Sequence, residues 1–345
     1  TSLPVSYYIN SAGTNDINDG STPNEFSAIQ SSFQTWENVA TSRMAFEYQG
    51  TTTTLAGDND GRNEVGFVEG SFFELYGFDD PGVDAEVIGV TFLFTDSTGE
   101  NIGEADILLN DAGFTFSTTQ ETSLSVIPTA TGALGFGVVN LYNVMTHEIG
   151  HFCGLGHSYI DGNVPHTIVD DDGNLTPEPA LESTATMYPF EFNGSQSRTL
   201  ERDDSVALSH LYPEPSFLNT LGSIEGRIVS ALDPTEPIFG AHVVVVGGGD
   251  EEQIGVLSER NGSFRIDGIS PGTSYRVFAE PIPFLSTAQA YYRTAEQVFP
   301  LEFYDDSFES GNALILPVNA DQTTSGVLHT VLTGFPEEDV YEPND

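Results

Sequence analysis

Three histidines, a glutamate and a glycine fall within one short run, His147-Glu148-Ile149-Gly150-His151-Phe152-Cys153-Gly154-Leu155-Gly156-His157. On a helix, residues four apart leave the same face, so the imidazoles of His147 and His151 can share one metal ion. Gly154, three residues past His151, lets the chain leave the helix through positive φ and swing back. His157 can then supply a third ligand. Three neutral imidazoles leave one position of a tetrahedral zinc open to water, which is the catalytic rather than the structural arrangement. Glu148 lies beside the first ligand and can reach such a water without binding the metal. That is the place of a general base.

A helix over 138–153 must carry this run, with Val139, Tyr142, Met145, Ile149 and Phe152 on its inner side. Upstream, 5–9 reads as a strand. Phe26, Ile29, Phe33, Trp36 and Val39 give one apolar helical face over 24–40. Strand signals follow at 44–48, 64–68, 87–94 and 105–110, divided by polar turns at 57–63 and 95–103. Leu200, Val206, Leu208 and Leu211 mark a last helix over 200–211, with Asp203 and Asp204 where carboxylates suit the helix dipole. Strands interleaved with helices predict an α+β domain over 1–213. The pattern changes after Pro213. A linker is expected over 214–222. Short strands then recur at 224–229, 242–246, 253–257, 263–266, 274–279, 313–318 and 327–332 without helical periodicity. That predicts a small all-β sandwich over 223–334, followed by an acidic tail at 335–345.

HExxHxxGxxH is the zinc-binding motif of the metzincins, and 1–213 resembles their matrixin (matrix metalloproteinase) branch. Ser158 follows the third histidine, as is usual there. Thr186-Met187-Tyr188-Pro189 resembles the Met-turn, in which a methionine lies beneath the metal. Glu201 to Val206 with Leu211-Tyr212-Pro213 resembles the last matrixin helix, and Gly103 to Ile107 the strand before the active-site helix. The resemblance implies a twisted mixed sheet with an active-site helix and a C-terminal helix. It implies a zinc endopeptidase in which Glu148 is the general base towards a metal-activated water. Ile88, Gly89, Val90 and Thr91 would belong to the edge strand that pairs with an extended peptide. Tyr188 and Pro189 would wall the substrate pocket. The chain departs from the family in having no histidine before His147, so the second, structural zinc of matrixins is not expected. The span of 30 positions from His157 to Met187 exceeds the vertebrate spacing. No hemopexin-like propeller and no cysteine-switch prosegment is apparent, which suggests a processed, active form. The strings Gly222 to Val229, Gly240 to Val245 and Asn261 to Ile266, with the turn Gly268 to Gly272, resemble carboxypeptidase-regulatory-like, transthyretin-like sandwiches. Two rival readings are another metzincin branch, and an adhesion or surface-binding protein with an inert zincin domain. The intact His147, Glu148, His151 and His157 count against inertness.

Composition narrows the partners. The 345 residues hold 9 basic and 52 acidic side chains, a net charge of −43, and every basic residue is arginine. Such a field repels nucleic acid and anionic lipid. No apolar run is long enough to span a bilayer. Proteins or peptides remain as partners, and a monomer is favoured. The acidity reads as adaptation to a saline or calcium-rich exterior, so a secreted, halophilic protein is expected, its export signal already removed. Calcium is a second expected cation. Asp170, Asp172 and Asn174 alternate around a glycine as in part of a calcium loop, and 57–64 and 95–104 are comparable. The single cysteine, Cys153, excludes an internal disulfide and reads as a packed thiol. His166 reads as a solvated loop residue. His210, His242 and His329 read as structural.

Overall fold

The computed structural model of the chain describes residues 3–17, 24–69, 87–128, 134–162, 184–191, 197–247, 252–282, 299–305, 307 and 312–333. Two compact units account for the chain. The first comprises Thr1–Gly156, Pro189–Leu200 and Ala207–Tyr212; the second comprises His157–Tyr188, Glu201–Val206 and Pro213–Asp345.

In the first unit, β1 (Val5–Asn10), α1 (Glu25–Glu37), β2 (Phe46–Thr52), β3 (Glu64–Val68), β4 (Gly89–Thr95) and β5 (Ile102–Asn110) precede β6 (Thr115–Ser117), β7 (Ser123–Pro128), β8 (Leu134–Asn140) and α2 (Leu141–Phe152). Five strands form a sheet in the order β2-β1-β3-β5-β4. The pairs β1–β2, β1–β3 and β3–β5 are parallel, and β4 closes the edge antiparallel to β5. The smaller sheet β6-β8-β7 leads straight into α2. The expected helix over 138–153 therefore starts three residues later. Val138, Val139 and Asn140 complete β8, and the Asn140 side chain accepts the N–H of Tyr142 as an N-cap. Short apolar runs at a strand-to-helix junction carry both periods at once, which is why Val139 read as helical.

Aromatic packing joins α1 to the sheet and to α2. Phe33 stacks on Tyr7 with ring centroids 3.8 Å apart and meets Phe152 edge-on at 5.5 Å. The Trp36 indole N–H donates to the Thr146 carbonyl at 2.8 Å, satisfying a fully buried donor and fixing α2 against α1.

Strand β5 is buried from Glu104 to Asn110. Its two carboxylates are met by the turn that precedes β3. Asp106 accepts from the backbone N–H of Gly57 (2.6 Å) and Glu64 (2.8 Å), and Glu104 from Asp60 and Gly61. This is the 57–64 loop that sequence pattern offered for calcium; its own amides serve those oxygens. Burial, reinforced by Glu104 and Glu64, pushes the Asp106 carboxyl up to about 7 against the two amides that favour its charge. In the unfolded chain the same group releases its proton near the ordinary value of about 3.9. Between these values the native state binds one proton more than the unfolded state, so this group's contribution to stability is full below about pH 4 and is lost as pH rises through 7. The melting temperature is expected to fall across that window, and less steeply in Asp106→Asn, as a pH series by calorimetry will read.

The second unit contains β9 (Gly222–Ser230), β10 (His242–Gly247), β11 (Glu252–Leu257), β12 (Ser263–Ile269), β13 (Gly272–Glu280), β14 (Glu302–Phe303), β15 (Leu316–Val318) and β16 (Thr323–Val331). Helix α3 (Arg202–Leu211) is shared between the units, and the one-turn α4 (Phe217–Thr220) lies within the stretch that reads as linker, where β9 also begins. One sheet runs β11-β10-β13-β14 with β15 added to β13; the other runs β12-β9-β16, with β16 parallel to β9. Ile224, Ile228, Val243, Val245, Phe264, Ile266 and Val277 fill the space between them. The strand pattern matches the all-β reading, except that the expected strand at 313–318 begins at Leu316 and the two-residue β14 is too short to read. Among the described residues, no helix is long and apolar enough to cross a membrane.

Candidate metal centre

Helix α2 presents His147 and His151 on one face, their rings 4.8 Å apart and nearly perpendicular. The helix stops at Cys153. Gly154 follows at φ +93°, where its N–H reaches the His151 carbonyl at 2.7 Å and the Leu155 N–H reaches Gly150 at 3.0 Å. A side chain at 154 would be strained by φ and crowded by Ile102, 3.0 Å from the Cβ position. The turn aims Leu155's carbonyl back at the helix, 2.8 Å from His151 Nδ1. A carbonyl only accepts, so Nδ1 carries the proton and Nε2 keeps its lone pair for a metal.

The donor atoms of His147, His151 and His157 all lie within 4.8 Å of one another, and each ring is half-buried. Among the described residues, this is the one group of three or more metal-competent side chains close enough to share an ion. Three neutral nitrogen donors, one already oriented by a carbonyl, fit a zinc ion that keeps a fourth position open.

Glu148 is buried beside them. The Thr91 hydroxyl, on β4, donates to Glu148 Oε2 at 2.6 Å and lies 3.0 Å from the Glu148 carbonyl oxygen. The carboxylate also lies against Gly89, where a Cβ would come within 2.9 Å of Oε1 and 3.1 Å of Cγ, so a side chain at 89 would displace it. Burial pushes the Glu148 carboxyl up; His151 and the Thr91 hydroxyl pull it back. Sequence reading placed Gly89 and Thr91 in a substrate edge strand and missed this contact. Strand β4 and helix α2 are 57 residues apart at the Thr91–Glu148 bond, and no spacing rule links them.

The Met-turn is held by α3. Asp204 accepts from the N–H groups of Thr186 (2.8 Å), Met187 (3.0 Å) and Glu201 (2.9 Å). Ser158 donates its N–H to Met187 and its hydroxyl to Asp203 Oδ2 at 2.6 Å. Sequence showed these two aspartates only as a helix start. Met187 is buried, and Tyr188 and Pro189 are half-buried. Burial, with Asp161 and Glu280, raises the Tyr188 hydroxyl above its ordinary value. Ile88 and Val90 are half-buried on and beside β4. Cys153 is buried and its thiol is pushed up by burial, as an unreactive packed cysteine requires. His242 is buried against Glu280 at 2.8 Å, His329 is buried and His210 is exposed. Asp170, Asp172, Asn174 and His166 lie outside the described residues.

Comparison with known proteins places this geometry in a class, the metallopeptidases. The matrixin model (peptidase family M10) matches residues 4–176, half of the 345-residue chain, and the chain belongs to the matrixin family. No curated protein matches it. Among solved structures, the major pilin subunit of Bacillus cereus shares 15% identity over 33% of this chain and 31% of its own, with a TM-score of 0.21. A putative carbohydrate binding protein from Bacteroides uniformis shares 16% over 32% and 41%, with a TM-score of 0.21. A DUF3823 family protein from Parabacteroides merdae shares 13% over 33% and 46%, with a TM-score of 0.19. The chain spans less than half the length of each, and scores this low bear on neither fold nor function.

Proposed function

We propose that the chain is a secreted zinc endopeptidase. The observation that carries this reading is the convergence of the His147, His151 and His157 donors beside the buried, hydroxyl-anchored carboxylate of Glu148. The three imidazoles would hold the metal, which when bound supplies Lewis acidity towards a water and a peptide carbonyl. Glu148 does the proton work. Its Oε2 is occupied by Thr91, and Oε1 is the oxygen that takes the water's proton and later gives it to the leaving amine. Burial raises its proton affinity, against the pull of His151 and the Thr91 hydroxyl. Edge strand β4 would pair with an extended substrate segment, and Tyr188 with Pro189 would line the adjoining pocket. The acidic surface suits a saline, calcium-containing exterior, and a monomer is favoured.

Cleavage of casein or a peptide library with and without 1,10-phenanthroline tests the reading. Activity lost on chelation and restored by zinc supports it; cleavage indifferent to the chelator, or none with zinc bound, contradicts it. Thr91→Val is expected to lower kcat by about 10- to 100-fold at nearly unchanged KM, because an unanchored carboxylate leaves its productive position. Thr91→Ser is expected to restore most of the loss. Steady-state kinetics of the three proteins checks both.

A further inference from the structure

The sandwich does more than follow the catalytic half in sequence. Residues 157–162 form a strap that begins with the third imidazole, and the strap is built into the sandwich's own packing. Ile160 and Ala185 are buried in one cluster with Val244 and Val246 of β10, Phe278 of β13, Phe303 of β14 and Ala313. Strap and Met-turn are laced together there: Ala185 N–H donates to Ile160 O at 3.1 Å and Ser158 N–H to Met187 O at 2.8 Å.

Two polar ties and one ring contact fasten the strap to β10 and β11. Gln253 Nε2 donates to the Gly162 carbonyl at 3.2 Å in a buried position. Asp203 accepts the Ser158 hydroxyl at Oδ2 and the Gly255 N–H at Oδ1, 2.9 Å away, so one half-buried carboxylate joins the residue after His157 to β11. The Tyr159 ring tilts against His242, 5.6 Å between centroids. The fit is closest at Gly255. A Cβ there would come within 2.5 Å of His242 Nε2 and 3.1 Å of Ile160 Cδ1. Glu280 pins the His242 ring at its other nitrogen, so a side chain at 255 would have to force that ring, with Tyr159 against it, or back β11 away from the strap, and Ile160 would have to give as well.

We propose that the β-sandwich is the seat of the third metal ligand: packing of the strap on β10 and β11 sets the position of His157 and, through it, the affinity for the metal. This gives the second domain a role that is neither spacing nor substrate capture. It rests on the metal reading above. Supports one step removed from a metal ligand commonly govern affinity by about 10- to 100-fold.

The test uses the full chain and reads zinc affinity by chelator competition, without reference to turnover. Gly255→Ala is expected to weaken zinc by about tenfold or more. Val331→Ala removes buried volume from the sandwich core that contains neither Ile160 nor Ala185 and serves as the control for lost stability; it is expected to keep zinc within about twofold. If Gly255→Ala does not fold, Gln253→Ala, which removes a single hydrogen bond, carries the same test with an expected weakening of about threefold. Unchanged zinc affinity in a folded Gly255→Ala, or in Gln253→Ala where that variant stands in, overturns the proposal, as does an equal loss in Val331→Ala. A parent that binds one zinc and cleaves peptides while the variants bind equally well removes this proposal alone; a parent that binds none removes the metal reading with it.

Discussion

Glu148→Gln is expected to bind zinc as tightly as the parent and to cleave peptides at least about 10³-fold more slowly. The substitution keeps the shape of the side chain and its contact with Gly89 while removing the group that accepts a proton. The orientation of His151 does not depend on it, because that ring is held by the Leu155 carbonyl. A stoichiometric zinc content with the loss confined to kcat is the expected result. Parent-like turnover would remove Glu148 from the proton transfer.

The second large effect is on stability. Asp204→Ala leaves three backbone donors without their acceptor, those of Thr186, Met187 and Glu201. The site is 1% exposed, so water does not replace the lost carboxylate. With each orphaned donor costing about 1–3 kcal/mol, the loss is expected to be about 3–5 kcal/mol. The Met-turn loosens with it. Asp204→Asn keeps Oδ1 for Met187 but turns the other acceptor into a donor facing Thr186 and Glu201, so an intermediate loss is expected. Urea denaturation of the three proteins gives the order, and an Asp204→Ala protein as stable as the parent contradicts the tether.

The site's ligands were legible in sequence because metal binding on a helix is a local code. His147 and His151 are one turn apart, and Gly154 at φ +93° answers the need to reverse the chain before His157. Helix α1 was legible for the same reason: Ile29, Phe33 and Trp36 lie on one buried face. The sandwich strands were legible because each buried strand is a short β-branched run between turn residues. What was illegible depends on tertiary pairing. The Thr91 hydroxyl finds Glu148 only because β4 lies at the edge of the sheet beside α2. Asp203 and Asp204 look like any acidic helix start until the strap and the Met-turn arrive to be held. The strap itself is polar in sequence around Ile160, and its membership of the sandwich core comes from Val244 and Phe278, more than 80 residues further on.

X-ray absorption at the zinc edge of the purified protein tests the central claim most directly. One zinc with three imidazole nitrogens and one oxygen in its shell, at roughly 2.0–2.1 Å, is expected. A sulfur in the shell, a fourth protein nitrogen, or a protein that takes up no zinc would contradict it.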